Sequence, residues 1–252
     1  MGTIYAVANQ KGGVGKTTTA VNAAACVAEA GYPTLLVDVD PQCNATTGLG
    51  LAKDLSPNVY DVIAGESTLA QATHGSAIDG LAVVPASPDL AGATVELPRL
   101  AGGQIRLRDA LAPARDGYAF TFLDCPPSLG PLTVNALAAA DRVLVPVQAE
   151  YYALEGVAQI LASIEAIRAR LNPRLTIAGL LLTMVDGRTR LAADVGSELE
   201  RHFGPLLFRA QVPRSVRIAE APSHGLPVIA YDRTSAGADA YWRAAMELVE
   251  RS

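Results

Sequence analysis

Short apolar runs that close on a polar or acidic residue recur along this chain, separated by longer stretches with apolar positions at helical spacing. The first run is Thr3 to Ala8 (TIYAVA). After Pro33 and Thr34 comes LLVD, closing on Asp38, then GLAVVP at 80–85, YAFTFLD at 118–124, RVLVPVQ at 142–148 and RLTIAGLLLTMVD at 174–186. Continuous rather than alternating apolarity marks strands covered on both faces, the habit of parallel sheets. Between them Thr17 to Ala30, Leu132 to Ala140, Tyr151 to Leu171, Leu191 to Phe203 and residues 235–250 read as helices. Residues 51–117 are patchier: Pro57 to Ala64, Ser67 to Ala72, Leu90 to Leu97 and Ile105 to Leu111 have the look of short helices, without a catalytic constellation. The alternation predicts one α/β domain over 1–252, a doubly wound, mostly parallel sheet flanked by helices, with no DNA-reading domain ahead of the first strand.

Candidate chemistry is concentrated between the first strand and the first helix, in Asn9 to Thr19 (NQKGGVGKTTT). Strand, glycine-rich loop, Lys-Thr, helix is the context of a phosphate-binding loop. Gly12, Gly13 and Gly15, with Val14 among them, let backbone N–H groups turn inward on a phosphate with no Cβ in the way. The positive end of the following helix adds to that field. Lys16 is placed to bridge the β- and γ-phosphates and Thr17 to bind Mg²⁺ directly through its hydroxyl, with Thr18 beside it. The strict pattern G-x-x-x-x-G-K-[ST] is not met, because Gln10 holds the first position and a second lysine, Lys11, follows. Only three lysines stand against seventeen arginines, and two of them are Lys11 and Lys16. Compact ammonium groups are kept where a point charge would meet phosphate. Two later strands end on carboxylates, Asp38 with Asp40 in VDVDPQCNAT and Asp124 in YAFTFLDCPP. Taken singly each is an ordinary polar strand end. With the loop, they complete a nucleotide site.

The KGGVGKTT form resembles the deviant Walker A loop of the ParA/MinD family of ATPases, and VDVDPQ resembles the family's DxD-P-Q motif. The strand ending in Asp186 and GRTR is similar to a family strand followed by Asp-x-Arg-Thr. QVPRSVRIAEAPSHGLPVIAYD resembles the chromosome-partitioning branch, so the likeness spans essentially the whole chain. The resemblance implies an ATPase that uses ATP and Mg²⁺, with Lys11, Lys16 and Asp40 in catalytic roles. Asp40 would orient the attacking water. Lys11 would reach across an ATP-sandwich homodimer to the partner's nucleotide, and Gly12 would let the two loops approach. Asp38 and Asp124 would act on Mg²⁺ through water, and Ser128 to Gly130 would form the loop that senses the γ-phosphate. Pro213 and Ser215 would line the adenine. The sequence departs from the family at Cys43, where glycine is usual, and at Ser215, where asparagine is common.

Composition narrows the setting. No apolar run approaches the length of a membrane span, and no signal peptide precedes the first strand. Cys26, Cys43 and Cys125 are scattered, and the three histidines make no metal-ligand spacing, so a reducing cytoplasm without disulfide or zinc is expected. The net charge of −5 argues against uniform coating for nucleic acid. It is unevenly spread: residues 1–167 carry 8 basic and 16 acidic residues (−8), and 168–252 carry 12 arginines and 9 acidic residues (+3). Arg188, Arg190, Arg214 and Arg217 fall in two strand-end loops. From charge alone, a solvated face with internal ion pairs is the simpler account. By resemblance, Arg188 and Arg217 match positions of non-specific DNA contacts.

The expected function is therefore ATP-dependent DNA segregation. An ATP-bound homodimer would sit on non-specific double-stranded DNA at the nucleoid, and a ParB-type centromere-binding partner would stimulate hydrolysis. A ParA-like ATPase positioning another cargo would carry the same loop. A MinD-like membrane-cycling ATPase would need a basic amphipathic helix beyond the last helix, where this sequence stops at Ser252.

Overall fold

In the computed structural model, which describes residues 2–150 and 153–252, one sheet is built from β1 (Thr3–Val7), β2 (Thr34–Asp38), β3 (His74–Gly75), β4 (Leu81–Val84), β5 (Phe120–Asp124), β6 (Arg142–Gln148), β7 (Thr176–Val185) and β8 (Leu207–Pro213). Their spatial order is β3-β4-β2-β5-β1-β6-β7-β8. Every neighbouring pair is parallel except β3 with β4. The helices are α1 (Lys16–Glu29), α2 (Asn44–Gly48), α3 (Val59–Ala64), α4 (Leu90–Glu96), α5 (Arg106–Leu111), α6 (Pro131–Ala139), α7 (Ala153–Arg170), α8 (Arg190–Phe203), α9 (Val216–Glu220), α10 (Val228–Tyr231) and α11 (Ala236–Glu250). Tyr151 and Tyr152, where the sequence predicts the start of the long helix, lie outside the described residues.

Strand side chains alternate between faces, and the two cores follow that period. Ile4, Ala6 and Ala8 join a core with α5, α6, α7 and α8. Tyr5 and Val7 face the opposite core, filled by α1 and α11. Leu35 and Leu36 of β2 divide between the same two cores, both fully buried. Each such leucine contributes about 1.5–3 kcal/mol over an exposed one. The alanines of α1 bring its backbone close to β5 and α11, and Ala20, Ala24 and Ala25 are completely buried.

The structure differs from the sequence reading in one expected helix and in several short elements, among them α2, α9 and α10, that were not expected. Ser67 to Ala72 is a series of turns rather than a helix. There the Gln71 amide oxygen accepts the Thr68 N–H at 3.0 Å, and the Thr68 hydroxyl accepts the Gln71 N–H at 3.3 Å. These reciprocal bonds form a capping box, which favours a helix start, but only one i→i−4 bond follows, from the Ala72 N–H to the Thr68 carbonyl at 3.2 Å, before the Thr73 N–H turns to the Ala70 carbonyl and the helix is not continued. The edge strands β3 and β8 were not legible as strands, since neither is a continuous apolar run.

Because β1 lies between β5 and β6, the chain leaves the centre of the sheet in both directions. The C-terminal ends of β1, β2 and β5 therefore open a crevice, the usual ligand position in such sheets.

Candidate nucleotide site

The loop after β1 is held open by its own backbone. Gly13 (φ 75°) and Gly15 (φ 84°) take left-handed conformations that side chains resist. Gly12 is exposed, and a Cβ built there would meet nothing within 4 Å. Asn9 fixes the entry: its oxygen accepts the Lys11 N–H at 3.0 Å, and its amide donates to the Pro146 carbonyl at 2.8 Å. At the other side the buried Thr183 hydroxyl of β7 donates to the Val14 carbonyl at 2.8 Å. Lys16, 7% exposed, spans the loop and donates from Nζ to the Lys11 carbonyl at 3.0 Å. Burial pushes its pKa down, and Asp124, Cys125 and Asp40 oppose the shift. Helix α1 has no side-chain cap and no acidic residue in its first turn. The N–H groups of that turn, where Thr17 and Thr18 sit, are available to an anion.

Three carboxylates ring this loop in different states. Asp38 and Asp124 are direct partners across the β2–β5 ladder. Asp38 is fully committed: Oδ2 accepts the Thr46 N–H (2.8 Å) and hydroxyl (2.7 Å), and Oδ1 accepts the Asp40 N–H (3.1 Å). Burial raises its pKa to about 6 despite those bonds. Asp124, equally buried, has no hydrogen-bond partner on either oxygen. Burial and then Asp38 push its pKa well up; the nearby Thr17 hydroxyl, which makes no well-formed bond to it, and Lys16 oppose this. Asp40, 6% exposed, takes the Gln42 N–H on Oδ1 at 3.0 Å. Cys43, the departure from glycine, stands at φ 58°. Its backbone sits in the left-handed region where glycine costs nothing, so the family's usual residue has a geometric reason here.

An unpartnered buried carboxylate beside a threonine hydroxyl fits a bound cation. Among the described residues no three His, Cys, Asp or Glu side chains converge on a metal position. That donor set suits Mg²⁺, which keeps waters and takes phosphate oxygens rather than a protein cage.

A family model described as an AAA domain matches residues 2–177. The chromosome-partitioning ATPase Soj of Thermus thermophilus is 55% identical over 246 residues, covering 98% of this chain and 95% of that protein. The chromosome partitioning protein ParA of Caulobacter vibrioides is 47% identical over 251 residues, covering 98% and 94%. This chain belongs to the ParA/Soj family of chromosome-partitioning ATPases. Among solved structures, cobyrinic acid a,c-diamide synthase from Mycobacterium smegmatis with ADP and magnesium superposes with a TM-score of 0.87 at 37% identity, over 99% of this chain and 95% of that one. The MinD cell division ATPase of Pyrococcus furiosus, 24% identical with a TM-score of 0.81 over the full length of both chains, shares the fold.

In this ParA-type chain the loop lysine Lys11 is turned back on its own fold, with Nζ 2.7 Å from Oε2 of Glu150. The arginines fall into two kinds. Arg188, although 89% exposed, is held in a two-pronged pair by Asp186, with contacts of 2.9 and 2.8 Å. The Arg188 hydrogen bond holds the Asp186 pKa down, at about 2. Arg217 pairs with Glu220 at 3.1 Å and Asp232 at 3.2 Å. Arg190 and Arg214 make no ion pair among the described residues, although the Arg214 charge adds to that of Arg188 in holding the Asp186 pKa down. The Arg214 N–H bonds the Val185 carbonyl at 3.1 Å, so the two arginine loops lie side by side after β7 and β8. Pro213 closes β8, and Ser215 precedes α9 with a hydroxyl that makes no capping bond. Sequence reasoning passed over Glu150 and Thr183. Glu150 follows a buried strand just as Asp40 and Asp124 do, which was a usable signal. Nothing local marks Thr183.

No helix among the described residues is long and apolar enough to cross a membrane.

Proposed function

We propose that ATP binding at the Asn9–Thr18 loop closes two copies of this chain into a sandwich dimer that holds double-stranded DNA through its arginine loops. Hydrolysis, stimulated by a ParB-type partner, releases them. The observation that carries the reading is contiguity. β7 touches the phosphate loop through Thr183 and, three residues later, opens into Asp186 and the Arg188–Arg190 loop. Nucleotide state and arginine presentation thus share one strand. Sequence-independent phosphate contacts would suit segregation of a whole chromosome or plasmid at the nucleoid.

Lys16, Thr17 and the α1 N-terminus hold the ATP phosphates, and Thr17 and Asp124 are the residues that would hold Mg²⁺ there. A bound Mg²⁺ would supply charge neutralisation for the phosphates. Asp40 orients the attacking water, while Asp38 fixes the Asp40–Thr46 segment that carries it. Lys11 leaves Glu150 and meets the partner's nucleotide. Open space at Gly12 within one copy supports a requirement that arises only between copies: Gly12→Val should keep ATP binding and lose the dimer. Pro213 and Ser215 lie on the adenine side.

The test is salt-dependent binding to random duplex DNA with ATP, ADP or no nucleotide, using Asp40→Ala to hold the ATP state. Tight binding only with ATP, weakened in Arg190→Ala/Arg214→Ala and Arg188→Ala/Arg217→Ala, is the expected outcome. Equal binding in all three states would overturn the ATP-gated reading.

A further inference from the structure

We propose that the cavity between α3, the 67–70 turn and α5 is a second ligand site, one that takes a small amphiphilic carboxylate with Arg106 as its anion partner. The cavity measures about 720 Å³, within the range of small-molecule sites. Val62, Leu69, Ala70, Ala110 and Pro113 give it an apolar wall. Its charged groups are unequal. Asp109 is already paired with Arg108 at 3.1 Å. The hydroxyls of Ser67 and Thr68 donate to the Gln71 side chain. Arg106, half-buried, makes no hydrogen bond or ion pair among the described residues. Its Nη1 lies 3.6 Å from where a Cβ on Gly65 would stand, so the guanidinium is held at the α3 end of the cavity.

A planar, weakly hydrated guanidinium above an apolar wall selects a carboxylate carried on a hydrocarbon body, because both halves of such a ligand are satisfied together. A purely apolar ligand would leave the charge unanswered, and a cation would be repelled. One end of the cavity lies away from the nucleotide. Pro113 and Ala114 lead into Arg115, whose carbonyl takes the Gly2 N–H, at the N-terminal end of β1. The phosphate loop is at the other end of that strand.

The test uses the full-length chain and sodium octanoate, followed by methyl NMR, with 1-octanol and octylammonium as comparison probes. Saturable octanoate binding that shifts the Val62 and Leu69 methyls is expected. Octanol should bind about tenfold more weakly, as loss of one charge-assisted contact implies. Arg106→Gln should reduce octanoate to the level of octanol, and Ala110→Trp should exclude both, with ATP binding retained in each variant as evidence of folding. Absence of saturable binding, shifts that map elsewhere, octanol binding as tightly as octanoate, or octylammonium binding best would overturn the proposal. The Arg106→Gln comparison stands even if Ala110→Trp fails to fold.

Discussion

At the C-terminal ends of β2 and β5, Asp38 and Asp124 are adjacent in register and equally buried, but only one of them is satisfied. Asp38 collects three donors from the Asp40–Thr46 segment, and the Thr46 hydroxyl in turn takes the Ala86 N–H at 2.9 Å, tying β2, α2 and the end of β4 together. Asp124 collects none. A buried carboxylate away from this site, Glu247 on α11, resembles Asp38: its oxygens take the Arg209 and Ala210 N–H groups, both at 3.0 Å, and it pairs with Arg251 at 2.6 Å. Burial is common to all three, so burial is not what marks the site. Unpaired burial of a carboxylate sets Asp124 apart from the other two, and an unmet buried charge is a recurrent feature of functional sites; burial without a partner is not by itself enough, since His74 Nε2 and Ser87 Oγ share it.

Substitutions should separate these roles. The largest effect falls on chemistry: Lys16→Ala or Asp40→Ala should lower ATP hydrolysis by about 10²–10³-fold, the scale for removing one preorganised electrostatic group, in a phosphate-release assay. Comparable hydrolysis in either variant would break the assignment of the phosphate edge.

Next come the neighbouring carboxylates, with opposite signs. Asp38→Ala strands three donors and should cost about 3 kcal/mol of stability, measured by urea unfolding. Asp124→Asn should stabilise the nucleotide-free chain by about 1–3 kcal/mol, since it removes an uncompensated buried charge, while losing Mg²⁺-dependent hydrolysis. Its raised pKa fixes the pH sign. Without nucleotide, the wild type should lose stability as pH rises above the usual carboxylate range, and Asp124→Asn should lose less.

Glu247 runs the other way. Burial raises its pKa, but the two backbone donors and Arg251 outweigh that and hold it down. Its contribution is therefore present above the ordinary glutamate pKa of about 4.3 and is lost as pH falls through the lower folded value. Glu247→Gln should be less stable than wild type at pH 7, with the gap closing on acidification in a thermal-melt series.

A smaller effect is expected at Thr183→Val, a near-isosteric loss of one bond to the phosphate loop. KM for ATP should rise about tenfold with little change in melting temperature, and Thr183→Ser should restore it. Smallest of all, Arg188→Gln should leave the urea-unfolding midpoint essentially unchanged, because exposed pairs contribute little.

How much of this was legible varied by residue. Thr3–Val7 and Lys16–Glu29 read directly, because apolar runs and an alanine-rich stretch bounded by glycine carry their own periodicity. The Ser67–Ala72 turns did not, since Thr68 and Gln71 form a helix-starting capping box whose turn stops after one α-type bond, and composition does not show where it stops. Glycine-rich geometry, the lysine pair and the strand-end aspartates were determined by sequence alone, because phosphate binding needs those residue types at fixed local spacing. That Asp38 is saturated and Asp124 bare, that Lys11 folds onto Glu150, and that Arg188 is chelated while Arg214 makes no ion pair among the described residues were decided only by tertiary structure. Lys11 and Glu150 stand 139 residues apart, and only packing of β6 beside β1 brings them together; the partners of Asp38 and Arg188 are near in sequence, but whether a loop folds back onto its own carboxylate is set by the backbone path that the sheet imposes.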